Sequence, residues 1–177
     1  MLCILLRGVI KMLDCVRNVE AREFAVKFHG SQQYGNKPYS FHLDGVMKEA
    51  EDFISYIVSI RDFDYDEDTI GPAIYLHDIL EDTNCMFEDI ENEFGYKVAK
   101  TVLTLTHSNH ETYGEYIVRV SKDPNAILIK IADLFFNKEQ SIKSLETTTG
   151  KDKKIIEHRL GKYELALLYL SREIWAT

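Results

Sequence analysis

An all-α single domain is the fold class this sequence predicts, and three observations predict it. Long segments carry apolar residues at helical spacing. Only three prolines, Pro38, Pro72 and Pro124, interrupt the 177 residues, and no run of alternating polar and apolar residues demands a strand. Hydrophobic content of 45% beside 28% charged residues is ordinary for a folded chain of this length, which is enough to bury a substantial core.

The elements follow in order. Residues 1–16 read as an N-terminal extension and 17–177 as the domain. The apolar run at residues 1–13 is broken by Arg7 and Lys11 and is too short to span a bilayer. No small-residue cleavage site follows it, so it reads as a terminal helix or strand packed on the domain, or as an extension upstream of a start at Met12. A first helix is expected over 20–33, with Phe24, Ala25 and Phe28 on one face, and a turn over 35–38. A long helix over 40–60 buries Val46, Ala50, Phe53, Ile54 and Ile57, and an acidic loop covers 61–68. Pro72 suits the first turn of a helix that runs to Asp82. Helices over 87–94, 96–106 and 113–121 follow, the first ended by Gly95 and the second by a polar loop at 107–111. Asp123 and Pro124 form a cap and first-turn pair for a helix over 125–141, and Gly150 separates it from a last helix over 152–175.

Charge and cysteine usage narrow the function classes. A net charge of −8 and a pI near 5.3 argue against nucleic-acid binding, which depends on neutralising phosphates with Lys and Arg. A small phosphorylated substrate stays open, because a metal can carry positive charge locally. Cys3, Cys15 and Cys85 are odd in number and form no C-x-x-C, which suggests neither a disulfide framework nor a zinc knuckle. A reducing cytoplasm and no membrane partner are the expectation.

The densest chemistry is His77-Asp78 followed by Ile79-Leu80-Glu81-Asp82, inside an otherwise apolar helical segment. On one continuous helix His77 and Glu81, and Asp78 and Asp82, would stand at i,i+4, where like charges cost about 0.3 kcal/mol per pair. Burial raises that cost steeply unless a counter-charge is present. Nothing basic lies within ten residues on either side, so a metal ion is the simplest partner. Lys130, Asp133 and Asn137 line up at i, i+3 and i+7 beside an apolar stripe of Ile127, Leu128, Ile131, Ala132 and Phe135, and an Asp on so apolar a helix also needs a partner. His42 opens the long second helix. Two imidazoles and two carboxylates suit a borderline divalent ion such as Mn²⁺, Fe²⁺, Co²⁺ or Zn²⁺, with positions left over for water and a substrate oxygen. His107 and His110, in the polar loop, read as solvent-exposed, while His29 is open between packing and support of this site.

The flanking text is more specific than the His-Asp pair. The chain reads AREFAVKFHGSQ over 21–32, P-Y-x-x-H over 38–42, L-H-D-x-L-E-D-T over 76–83, and F-E-D-I-x-x-x-F-G over 87–95. It continues with V-L-T-L-T over 102–106, IKIADLFFN over 129–137 and EHRLGKY over 157–163. Together these resemble the hydrolase domain of the Rel/SpoT alarmone enzymes, within the HD superfamily of metal-dependent phosphohydrolases, and especially the stand-alone small alarmone hydrolases. The resemblance implies a helical HD fold and Mn²⁺ held by His42, His77, Asp78 and Asp133. It implies that Glu81 and Asp82 activate the attacking water and handle the leaving group. Substrate contacts are implied for Asn137, Arg159 and Tyr163, with Tyr34, Lys37 and Lys130 as further candidates around the nucleotide. The implied reaction removes the 3′-pyrophosphate of guanosine 3′,5′-bis(diphosphate), ppGpp, giving GDP and pyrophosphate.

The chain also departs from the family pattern. Tyr34 stands where relatives carry an Arg that stacks on guanine, the turn before Pro38 is one residue shorter, and Leu134 follows the Asp ligand in place of Lys or Arg. Tyr34 could stack on a base in the Arg's place. The substrate could then be another nucleotide phosphoester, such as a 5′-nucleotide, NADPH or a nucleotide signal. A non-catalytic nucleotide sensor is the remaining alternative.

Overall fold

The computed structural model describes residues 16–176, and they form a helical bundle with one two-residue strand pair. The expectation for residues 1–15 lies outside the described residues. In chain order the elements are α1 Val16–His29, β1 Gln33–Tyr34, β2 Lys37–Pro38, α2 Ser40–Ile60, α3 Glu67–Leu76 and α4 Ile79–Asp82. They continue with α5 Phe87–Phe94, α6 Tyr96–Leu105, α7 Tyr113–Val120, α8 Pro124–Leu145 and α9 Gly150–Ala176.

The core is one apolar cluster between α2, α3, α6 and α8, with α1 laid on α3 and α9 covering α8. Leu43, Met47, Ile54 and Ile57 of α2 meet Leu128, Ile131 and Leu134 of α8 in that cluster. Gly45 makes this crossing possible. A Cβ there would sit 2.0 Å from the Phe136 ring, so only hydrogen fits. Polar side chains cap the starts of α3, α7 and α8. Asp66 accepts from the amides of Asp68 and Thr69, Asp123 from those of Asn125 and Ala126, and Thr112 forms a capping box with Glu115.

Four local expectations need correction. The first helix stops at His29 because Gly30 takes φ +55 and turns the chain, so Gln32 and Gln33 lie beyond it. The turn at Gly35 and Asn36 is flanked by an antiparallel pair, Gln33 with Pro38 and Tyr34 with Lys37, too short for any alternating pattern to register. Pro72 lies inside α3, not in its first turn. The Asp68 carbonyl, deprived of a partner because proline has no amide hydrogen, accepts instead from the Arg17 guanidinium at 3.3 Å. Finally, one member of the stripe expected on α8 fails: Ile127, Leu128, Ile131 and Ala132 are buried, but Phe135 is 38% exposed, and Leu134 and Phe136 are buried beside them. Among the described residues no helix is long and apolar enough to cross a membrane.

Candidate metal centre and active site

The helix expected to run through His77 to Asp82 is broken at its most polar point. α3 ends at Leu76, His77 and Asp78 form a turn, and α4 restarts at Ile79. The Ile74 carbonyl, which a continuing helix would offer to the Asp78 amide, instead takes a hydrogen bond from His77 Nδ1 at 2.7 Å. That bond also sets the ring. With Nδ1 donating, a neutral His77 points the lone pair of Nε2 into the site.

Donors from α2, from α8 and from the turn meet there. His42 Nε2, near the start of α2, is 3.2 Å from His77 Nε2 and 3.2 Å from Asp78 Oδ2. His77 Nε2 is 2.9 Å from Asp78 Oδ2. Asp133 Oδ1, brought in by α8, lies 3.6 Å from the His42 nitrogen and 3.8 Å from the His77 nitrogen. Donors held at about 2.1 Å from one ion stand about 3.0 to 3.4 Å apart along the edges of an octahedron or tetrahedron. His42, His77 and Asp78 form a group able to hold a metal ion, and a divalent cation fits this nitrogen and oxygen set.

The electrostatics agree with that fit. Burial opposes a charge on His77, but Asp78 and Asp133 outweigh it and raise its pKa to about 9. Burial likewise opposes ionisation of Asp78, yet His77 and His42 hold its carboxyl well below the ordinary range. These are two sides of one ion pair, and a divalent cation can take the place of its proton.

Each of these side chains is braced from outside. The Tyr39 hydroxyl, buried and held protonated by that burial and by Asp78, donates to Asp78 Oδ2 at 2.6 Å. Tyr39 in turn stacks on His29 at 4.1 Å. His29 Nδ1 meets Gln32 Oε1 at 2.8 Å, and Gln32 Nε2 donates to Asp82 Oδ2 at 2.9 Å. His29 therefore both packs and ties into the site. Asp133 Oδ2 accepts from Lys130 Nζ at 2.8 Å, and Asp133 Oδ1 accepts from the Asn137 amide. Burial works against the charge of Lys130, but Asp133 and the Tyr116 and Tyr113 rings around it raise its pKa well above the ordinary value.

Glu81 and Asp82 are exposed on the solvent side of this cluster. Glu81 Oε2 accepts from the His107 amide at 3.0 Å, which anchors the loop before α7 over the acidic pair. His107 is half-buried against Tyr116, contrary to the exposed reading, while His110 is exposed.

The substrate candidates divide. Lys130 is committed to Asp133, and Asn137 bridges Asp133 and the Tyr34 hydroxyl. Tyr34 stacks on His42 at 4.9 Å with 9° between the rings. Lys37 lies on the hairpin with its ammonium 3.6 Å over the Phe41 ring. Arg159 and Tyr163 project from α9, exposed and half-buried, near enough to Tyr34 to influence its hydroxyl. Sequence reasoning gave Tyr39 no role. Its only signal is its place three residues before His42 in P-Y-x-x-H.

No family model matches the chain. It is 32% identical over 162 residues to the guanosine-3′,5′-bis(diphosphate) 3′-pyrophosphohydrolase of Aquifex aeolicus (strain VF5), an alignment covering 82% of this chain and 22% of that protein. It is 28% identical over 130 residues to a GTP pyrophosphokinase rsh of Brucella ovis, covering 67% of this chain and 16% of the relative. The chain thus spans about a fifth of the length of these curated relatives. A solved metazoan protein, described as an ortholog of SpoT that hydrolyses ppGpp and plays a role in starvation responses, superposes with a TM-score of 0.59 at 24% identity. That match covers 90% of this chain and 96% of the other, and establishes a shared all-helical fold.

Proposed function

We propose that this chain, an HD-type protein like the Rel/SpoT hydrolases in sequence and fold, hydrolyses the 3′-pyrophosphate of ppGpp to GDP and pyrophosphate with Mn²⁺ at its centre. The observation that carries the reading is the meeting of the His42 and His77 Nε2 atoms, 3.2 Å apart, with one oxygen of Asp78 and one of Asp133 that each lie within 3.8 Å of both nitrogens, beside an exposed acidic pair. His42, His77, Asp78 and Asp133 would hold the ion. When bound, the cation supplies Lewis-acid chemistry, offsetting charge on the transferred phosphoryl group and making the attacking water more acidic.

The protein's own groups do the rest. Glu81 accepts the proton of the water as its oxygen attacks the phosphorus attached to the ribose 3′ oxygen. The bond from that phosphorus to the 3′ oxygen breaks, and Asp82 delivers a proton to the departing oxygen. Arg159 grips a phosphate through its planar fork, and Tyr163 and Lys37 contact the nucleotide. Lys130 and Asn137 fix the Asp133 carboxylate. The activity would place the protein among cytoplasmic enzymes of alarmone turnover, within the stringent response.

One observation favours a second reading. Tyr34, at the position where a base-stacking Arg is expected, has a ring face on His42, which removes one grip on guanine. The same machinery would then serve another nucleotide phosphoester, such as a 5′-nucleotide or NADPH. A panel of ppGpp, 5′-nucleotides and NADPH with Mn²⁺, read by chromatography, separates them. Pyrophosphate from ppGpp supports the first reading, and orthophosphate from another nucleotide supports the second. Nucleotide binding without product would mark a sensor and reject both.

A further inference from the structure

We infer that Tyr34 is a positioning residue, which locks the orientation of His42 and Asp133 from the β1–β2 hairpin instead of serving as a platform for the substrate base. The inference rests on the metal-site reading above. It extends that reading to a residue 103 positions away from its hydrogen-bond partner.

Two contacts carry it. The Tyr34 ring lies nearly parallel to the His42 ring, 4.9 Å away, with Phe136 at 5.8 Å and Phe41 at 6.3 Å closing its flanks. The imidazole therefore has the hairpin's Tyr34 ring against its face and the Phe136 ring of α8 5.4 Å away. Second, the Tyr34 hydroxyl donates to Asn137 Oδ1 at 2.7 Å. An Asn side chain has one accepting and one donating end, so occupying Oδ1 turns Nδ2 toward Asp133. The Asn137 amide then donates to Asp133 Oδ1 while Lys130 takes Oδ2. Each carboxylate oxygen has a fixed partner, and Oδ1 is the one 3.6 Å from His42 Nε2. Without the hydroxyl, the amide is free to rotate and set its own oxygen against the carboxylate, a repulsive contact. One side chain thus orients two ligands supplied by different helices.

The test is Mn²⁺ titration of the metal-free full chain, with GDP binding at saturating Mn²⁺ and the melting temperature of the metal-free protein measured alongside. Tyr34→Phe keeps the stack and removes the hydroxyl, and should weaken Mn²⁺ binding about tenfold, as loss of partners behind metal ligands does elsewhere. Tyr34→Leu removes both contacts and should weaken it further. GDP affinity should stay within about twofold in both, and Tyr34→Phe should have no effect on Mn²⁺ binding in an Asn137→Ala background. Unchanged Mn²⁺ affinity in Tyr34→Phe, together with weaker GDP binding in Tyr34→Leu, would overturn the inference and make Tyr34 a substrate contact. If Tyr34→Leu does not fold, Tyr34→Phe alone decides. A wild-type chain that binds no Mn²⁺ would instead remove the metal site, and the inference with it.

Discussion

The inner donors and the outer acidic pair stand within a few residues of each other, yet they are held differently. His77 is locked by the Ile74 carbonyl, Asp78 by the Tyr39 hydroxyl, and Asp133 by Lys130 and Asn137, all in or at the edge of the core. Glu81 and Asp82 are exposed, and amides from loops steady them, His107 for Glu81 and Gln32 for Asp82. The buried set is ordered by the fold itself and is suited to binding an ion, which costs little reorganisation. The exposed pair sits where a water and a substrate can reach it and where a carboxylate can exchange protons with solvent. Disturbing the first should therefore damage binding and folding together, and disturbing the second should damage turnover alone.

The largest expected effect is at Asp133. Asp133→Ala should abolish Mn²⁺ binding and hydrolysis and destabilise the protein by about 3 kcal/mol, because it leaves the Lys130 ammonium buried without its partner. Metal analysis and denaturant unfolding check this. Adding Lys130→Met should restore stability without restoring metal, and a variant that kept the ion would erase the contrast between the two regions. Next comes Glu81→Ala, which should lower kcat about 100-fold or more while Mn²⁺ affinity and melting temperature hold steady. Near wild-type turnover there would take Glu81 out of the mechanism. A smaller effect is expected from Gln32→Leu, which frees Asp82 from the Gln32 amide. Its kcat should fall about tenfold with metal content unchanged, measured by steady-state kinetics on Mn²⁺-loaded protein.

The smallest effect tests the comparison from outside the site. Glu51 is buried in α2 with Oε1 unpartnered among the described residues, and burial, with Asp52 nearby, pushes its carboxyl up to about 7. Between the ordinary value of 4.5 and that point the native chain holds a proton the unfolded chain has released. Stability should therefore fall as pH rises across this window. Glu51→Gln should flatten the decline and gain about 1 kcal/mol at pH 8, seen as a higher melting temperature. A wild-type profile that is flat from pH 4.5 to 7 would show that Glu51 is hydrated. An unpartnered buried acid costs stability that the partnered Asp133 does not.

The parts of this architecture readable from sequence are those set by local chemistry. Helical spacing located α2 and α5 to α9 to within a few residues, and the Asp123-Pro124 pair marked where α8 begins. The anomaly of carboxylates in an apolar segment, with the quoted motifs, pointed at four residues that the fold brings within 3.8 Å of a histidine nitrogen. Long-range bonds left no local trace. Nothing near Pro72 announces that Arg17 will satisfy the Asp68 carbonyl, so its interior position reads as a helix start. Nothing near Tyr34 announces Asn137, and the His77 side chain competes with the backbone for the Ile74 carbonyl only once the core has fixed its rotamer. That Leu134 and Phe136 join the buried stripe of α8 while Phe135 leaves it depends on which helices α8 meets, which a single helix cannot tell.

The bare backbone at position 45 has a consequence for how this protein can change. α2 carries His42 and α8 carries Asp133, and the two helices are spaced by the thickness of one aromatic ring resting on a hydrogen atom. Any larger residue there acts as a wedge that separates imidazole from carboxylate before it touches either. Drift at this position would alter metal affinity from a distance, so the spacing of the helices and the chemistry at their ends are inherited as one trait.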